Sequence, residues 1–160
     1  VLVSCGGDAP REDGIRTLHA PITDSLTGPG ERAGTWMGAD QRSSWHATLD
    51  GPLVTRIDET VTYTDSARAI RTFEYDTDGR LAMAREERTQ ITYGAKATPD
   101  TLRVVMQFSW VSDSLVSAEK RLNGEARLAQ PFDVDNLRYH GVELLMTARA
   151  GAPIIFPGGK

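Results

Sequence analysis

From about Ser44 onward, apolar and polar residues alternate along the chain. Trp45, Ala47 and Leu49 interleave with His46 and Thr48, and Asp50-Gly51-Pro52 then reads as a turn. Leu53, Thr55, Ile57, Glu59, Val61 and Tyr63 share one parity, mostly apolar, against Arg56, Asp58, Thr60 and Thr62. That spacing predicts a half-buried strand with one wet face. Ile70 to Tyr75 is a further strand with Arg71, Phe73 and Tyr75 on one side, and Asp76-Thr77-Asp78-Gly79 is a hairpin turn. Leu81 to Tyr93 follows as one bent strand or two. Leu102, Val104, Met106, Phe108 and Trp110 give the cleanest alternation in the chain. Ser112-Asp113-Ser114 turns into Leu115 to Leu122, which Asn123-Gly124 closes. Strands joined by such short turns lie antiparallel to their neighbours, because parallel pairing needs crossover helices that the pattern lacks.

The period then changes. Val134, Leu137, Gly141, Leu144 or Leu145, and Ala148 recur at steps of three and four, the signature of one helix face. Asp133 or Asp135 suits its start, and Gly151 with Pro153 its stop. Gly141 costs such a helix about 1 kcal/mol, a cost compatible with close approach to a sheet. Upstream, residues 6–43 read as a tether and loop-rich segment with Gly-Pro-Gly at 28–30. Ile15, Leu18, Ile22 and Leu26 have helical spacing there, interrupted by Pro21, so the segment is either a short helix or an extended packing segment. The expected architecture is α+β: an antiparallel β-sheet meander of about five to seven strands, covered on one face by a C-terminal α-helix. The sheet-plus-helix domain spans 44–151, and the apolar Ile154-Ile155-Phe156-Pro157 tail lies in 152–160.

Size and charge narrow this further. The 160 residues suit one domain, and a formal net charge of −4 with pI near 5.4 argues against holding nucleic acid by bulk charge. The single cysteine makes no internal disulfide and no cysteine-rich zinc site. The chain opens on Val1 rather than Met, which reads as a trimmed or fragment start.

Cys5 sits at the end of Leu2-Val3-Ser4-Cys5, within residues 1–5, and Gly-Gly-Asp-Ala-Pro-Arg-Glu-Asp-Gly follows it. The four residues resemble the lipobox of bacterial lipoproteins. That resemblance implies a lipidated Cys5, a signal peptide cut just before it, and a membrane partner reached through acyl chains. Each buried methylene contributes about 0.8 kcal/mol, so two or three chains hold a protein at a bilayer without a spanning helix. Gly6 rather than Asp after the cysteine resembles the pattern sorted to the outer membrane. The polar run beyond it has the composition of a flexible tether.

Two weaker resemblances concern the domain. Tyr75-Asp76-Thr77-Asp78-Gly79-Arg80-Leu81 resembles one copy of the YD repeat of bacterial Rhs-type shells, but no second copy follows, which argues for a shared hairpin design instead of a shell. Over residues 44–150 the order of strands, turns and closing helix is similar to small β-rich cell-envelope lipoproteins. That likeness implies location and architecture and transfers no catalytic residue.

The candidate chemistry is thin. His19, His46 and His140 form no HxxxH or HxH pair, no Gly-x-Ser-x-Gly elbow is present, and Asp76 and Asp78 lack the later acidic ligands of a calcium loop. No catalytic residue, metal or cofactor is assigned. Glu59, Glu74, Glu86 and Glu87, with Arg56, Arg71, Arg85 and Arg88, read as ion pairs on a solvated face. Trp45, Phe73, Tyr75, Met106, Phe108 and Trp110 form a packed core or line an apolar pocket under the helix. Trp36 and Trp45 fit a core less easily, and exposed aromatics there would mark a partner surface. The expected function is therefore a membrane-anchored envelope protein whose domain binds a protein partner or is an interaction or structural module, with no molecular activity assigned. The alternatives are a carrier or sensor of an apolar small molecule or lipid in a cavity between sheet and helix, and, weakest, a hydrolase using carboxylates on the sheet.

Overall fold

The structure, a computed structural model, describes residues 25–28, 30–93 and 99–150. It is an α+β fold. Nine antiparallel strands lie side by side in chain order: β1 (Ser25–Gly28), β2 (Glu31–Met37), β3 (Gln41–Asp50), β4 (Leu53–Tyr63), β5 (Arg68–Tyr75), β6 (Leu81–Tyr93), β7 (Pro99–Val111), β8 (Ser114–Leu122) and β9 (Glu125–Arg127). The sheet is open, and one helix, α1 (Pro131–Ala150), packs on it. Among the described residues no helix is long and apolar enough to cross a membrane.

Nine strands exceed the five to seven expected, and the surplus lies where alternation fails. The loop-rich reading of 6–43 gives way at its end to β2 and the start of β3, paired residue for residue from Glu31↔Thr48 to Met37↔Arg42. Two of the inward residues of β2 are Gly34 and Trp36, so no apolar stripe announces it. Gly34 is there for space: a Cβ on it would lie 2.5 Å from the Trp45 indole, which covers that stretch of β2. Leu26 belongs to β1 and not to a helix. β9 is three exposed residues. Leu81 to Tyr93 is a single strand. Cys5, the rest of the lipobox, the tether, His19 and the 152–160 tail lie outside the described residues.

One detail of β4 departs from simple parity. Thr48 pairs with Arg56 but Leu49 pairs with Val54, so Thr55 is an extra residue, a bulge. The slip turns Val54 inward, where it is 1% exposed, in place of the Leu53 and Thr55 that strict alternation favoured.

The core lies between sheet and helix. Trp36, Trp45, Ile57, Phe73, Phe108 and Trp110 from the sheet meet Leu137, Leu144, Leu145 and Ala148 from α1. Pro131 opens the helix with its φ already set, and Asp133 reaches back to accept the Gln130 backbone N–H at 2.9 Å and the Lys120 ammonium at 2.7 Å. The helix leaves β8 there. At its far end Arg32 of β2 donates to the carbonyls of Ala148 and Arg149, where the helix dipole favours a cation. Midway, a Cβ on Gly141 would lie 2.6 Å from the Phe73 ring, and the Tyr75 hydroxyl donates to the Gly141 carbonyl at 2.7 Å. The glycine is what lets backbone and sheet touch.

Candidate functional site

The site is built along one cross-strand row. Trp45, Glu59, Arg71, Glu86, Met106 and Lys120 pair in succession from β3 to β8, all on the face that carries the helix. Neighbours in such a row have Cβ atoms about 5 Å apart, so alternating acid and base meet directly.

Glu59 is the centre, its side chain 0% exposed. One carboxylate oxygen accepts from the Trp36 indole N–H at 2.9 Å and the Ser43 hydroxyl at 2.5 Å. The other faces Arg71 Nη1 at 3.3 Å and His140 Nε2 at 2.7 Å. Arg71 also donates from Nε to Glu86 at 2.5 Å and from Nη2 to the Tyr63 hydroxyl at 3.0 Å. The His140 ring packs between Trp36 and Phe73, with centroids 6.2 and 5.8 Å away. Five elements, β2, β3, β4, β5 and α1, therefore converge on one carboxylate.

The electrostatics follow from this geometry. Burial alone pushes the Glu59 carboxyl up, but His140, Arg71 and Ser43 together outweigh it and hold the group down at about 2. Burial also pulls the Arg71 guanidinium down, and Glu86 and Glu59 more than restore it, leaving it raised. The Tyr75 phenol is pushed well up by burial and by the Glu59 charge, so it stays a donor to Gly141. A carboxylate has about four lone-pair positions, and those of Glu59 are all engaged. All of them are taken by residues of the fold and the side chain has no exposed surface, so it does not face a substrate. Its role here is a junction that fixes the helix on the sheet.

This corrects the solvated-face reading of the charges. Glu59, Arg71 and Glu86 point inward, while Arg56, Asp58, Glu74, Arg85 and Glu87 do occupy the outer face, with Arg56–Asp58 at 2.7 Å and Arg103–Glu87 at 2.7 Å. Parity could have found the inward set, since Glu59 shares a side with Ile57 and Val61, and Arg71 with Phe73. His140 was legible only as a position inside the buried arc of α1, between Leu137 and Gly141.

Of the predicted apolar group, Trp45, Phe73, Tyr75, Phe108 and Trp110 are buried in one cluster, and Met106 is half-buried at its margin. Trp36 is 7% exposed and belongs to the core, its indole N–H satisfied by Glu59, so the exposed-aromatic reading of Trp36 and Trp45 falls. His46 lies on the outer face 3.6 Å from Glu31. Asp76 uses a carboxylate oxygen on the backbone N–H groups of Asp78 and Arg80, which makes it a turn residue. Among the described residues no group of His, Cys, Asp and Glu is arranged to hold a metal ion. A depression of about 290 Å³ lies on the outer face among Arg85, Arg103, Val105, Gln107, Glu119 and Arg121, opposite the side where the alternative of an apolar pocket under the helix would place one.

Along β7 the inward face changes character. Trp110 and Phe108 are sealed, but Met106, Val104 and Leu102 are half-buried, as is Leu122 beside Val104 on β8. The helix begins near Lys120, so its cover ends at about Met106. Comparison of the chain with protein-family models, with curated proteins and with solved structures gave no match.

Proposed function

We propose that this chain is a lipid-anchored protein of the bacterial cell envelope, at the outer membrane, whose sheet-and-helix domain is a binding module. The anchor rests on Leu2-Val3-Ser4-Cys5 followed by Gly6 and a polar, glycine-rich run. The binding role rests on one observation: the inward face of the sheet is sealed by the helix at Phe108 and Trp110 and left half-open at Val104, Leu102 and Leu122. The most buried charge, Glu59, acts within the frame and supports binding by rigidity.

Two forms of binding each have an observation behind them. A protein partner is favoured by the outward stripe of α1, where Phe132, Tyr139, Val142 and Met146 recur at steps of seven, three and four and are 40–64% exposed. An apolar small molecule is favoured by the half-open strip. The test has two arms. Cys5→Ala in the full precursor moves the protein from the membrane fraction to the soluble one with its melting unchanged; retention in the membrane fraction overturns the anchor. Native mass spectrometry of the natively produced protein then finds a bound mass, a polypeptide for the first form or a few hundred daltons for the second, and a bare domain overturns the binding role.

A further inference from the structure

The face of the sheet turned away from α1 carries an ordered row of arginines. Arg42 of β3 pairs with Thr62 of β4, Thr62 with Arg68 of β5, Arg68 with Thr89 of β6, and Thr89 with Arg103 of β7. Arginine and threonine thus alternate across the sheet. Arg42, Thr62, Arg68 and Arg103 are exposed, and Thr89 is half-buried. Arg121 of β8 pairs with Val105, diagonally beyond Arg103, and is exposed as well. Among the described residues Arg42, Arg68 and Arg121 form no ion pair. Of the carboxylates nearby, Glu87 is held by Arg103 at 2.7 Å, and Glu119 stands opposite Gln107. The whole chain has a formal charge of −4, so this row runs against its average. Cations aligned without carboxylates repel one another, and a bound polyanion relieves that repulsion.

The spacing of the row selects its ligand. Neighbouring strands lie about 4.8 Å apart, so arginines on alternate strands recur about every 10 Å. The phosphates of a nucleic acid strand recur about every 3.4 Å, far too densely to match. Sheets twist by about 20–25° per strand, so the row turns through about 80–100° from β3 to β7. A planar bilayer meets only part of such a row, whereas a flexible polymer follows it. An arginine takes a carboxylate by two parallel N–H···O bonds, and the threonine hydroxyls in between donate to or accept from sugar hydroxyls. In an extended polysaccharide, carboxylates on every second ring recur at about the spacing of this row. The depression of about 290 Å³ continues the row at Arg103 and Arg121, where Val105 offers apolar surface to a sugar ring and Gln107 an amide.

We infer that the outer face binds a linear acidic polysaccharide with a carboxylate on every second sugar ring, laid across β3 to β8 on Arg42, Arg68, Arg103 and Arg121. The inference is independent of the anchor and of both forms of binding proposed for the helix face. The experiment is isothermal titration calorimetry of the whole chain at low salt with hyaluronate oligosaccharides, which carry one carboxylate per two rings. Neutral maltooctaose, a single-stranded oligonucleotide and phosphatidylglycerol vesicles serve as comparisons. The hyaluronate octasaccharide binds, the tetrasaccharide binds about tenfold more weakly because it reaches fewer arginines, and maltooctaose does not bind. Added salt weakens the octasaccharide. Arg68→Gln weakens it about fivefold, as the loss of one exposed ion pair does. Replacing Arg42, Arg68 and Arg121 together by Gln abolishes binding in a protein that melts like the wild type, because none of them holds a partner in the fold. Arg56→Gln, on the same face but outside the row and paired with Asp58, leaves the affinity unchanged. Absence of saturable octasaccharide binding, or a triple variant that binds it as the wild type does, overturns the inference. An Arg56→Gln loss as large as that of Arg68→Gln overturns the row as the site. Tighter binding of the oligonucleotide or of the vesicles overturns the ligand class.

Discussion

Replacing Glu59 by glutamine tests the junction with almost no change of shape. The carboxamide keeps an oxygen for Trp36 and Ser43 but turns an NH2 group toward Arg71, which it now opposes as a donor, and removes the negative charge that faces Arg71 and His140. Removing one partner of a buried ion pair costs about 3–5 kcal/mol, because the remaining charges stay desolvated. Linkage gives a second figure. A carboxyl that falls from 4.5 to about 2 on folding contributes on the order of 3 kcal/mol. The side chain is fully buried, so solvent screening does not reduce it. The sign follows from the depressed pKa: the contribution is complete above pH 4.5 and is lost as pH falls toward 2. Urea unfolding followed by tryptophan fluorescence, with Trp36 and Trp45 as reporters, measures both. At pH 7 Glu59→Gln loses about 3–5 kcal/mol, which lowers Tm by on the order of 10–20 °C in a domain of this size. Between pH 4.5 and 2 the wild type loses stability that the variant has already lost, so the gap narrows. A variant within about 1 kcal/mol of the wild type at pH 7, or a gap independent of pH, refutes the reasoning.

Three further outcomes follow from the packing and the anchor. Gly141→Ala gains about 1 kcal/mol of helix propensity but drives a methyl into the Phe73 ring, so thermal melting shows a net loss of about 1 kcal/mol or more. Phe108→Ala, at 0% exposure, costs about 3–5 kcal/mol by denaturant titration, and a near-neutral result places its side chain on the wrong face. Cys5→Ala releases the protein from membranes without moving its Tm, read by fractionation alongside a melting curve.

Strands β4 to β7 were legible because each buries one face against a core, and burial of one face imposes the period of two, whereas the largely exposed β8 was legible only from the turns that bound it. The same rule hid β2, where Gly34 yields its place to the Trp45 indole and Trp36 is inward only because Glu59 meets its N–H. The bulge at Thr55 hid Val54, since one extra residue inverts the parity of everything before it. Gly141 was legible as a close approach, and the structure supplies the reason in the Phe73 ring. The polar junction was half legible. Glu59 and Arg71 stood on apolar parities, which already set them apart from Arg56 and Glu74. Their meeting with His140 depends on where the helix crosses the sheet, a distance of 81 residues along the chain, and no local pattern carries that information.

The proposed place of this protein in the cell hangs on Cys5, and intact-mass spectrometry of chain extracted from native membranes tests it most directly. The expected species is a polypeptide that starts at Cys5, without Val1 to Ser4, and is heavier than its sequence by two or three acyl chains and a glycerol. A mass that matches an unmodified thiol with residues still attached before it contradicts the anchor and leaves only the architecture.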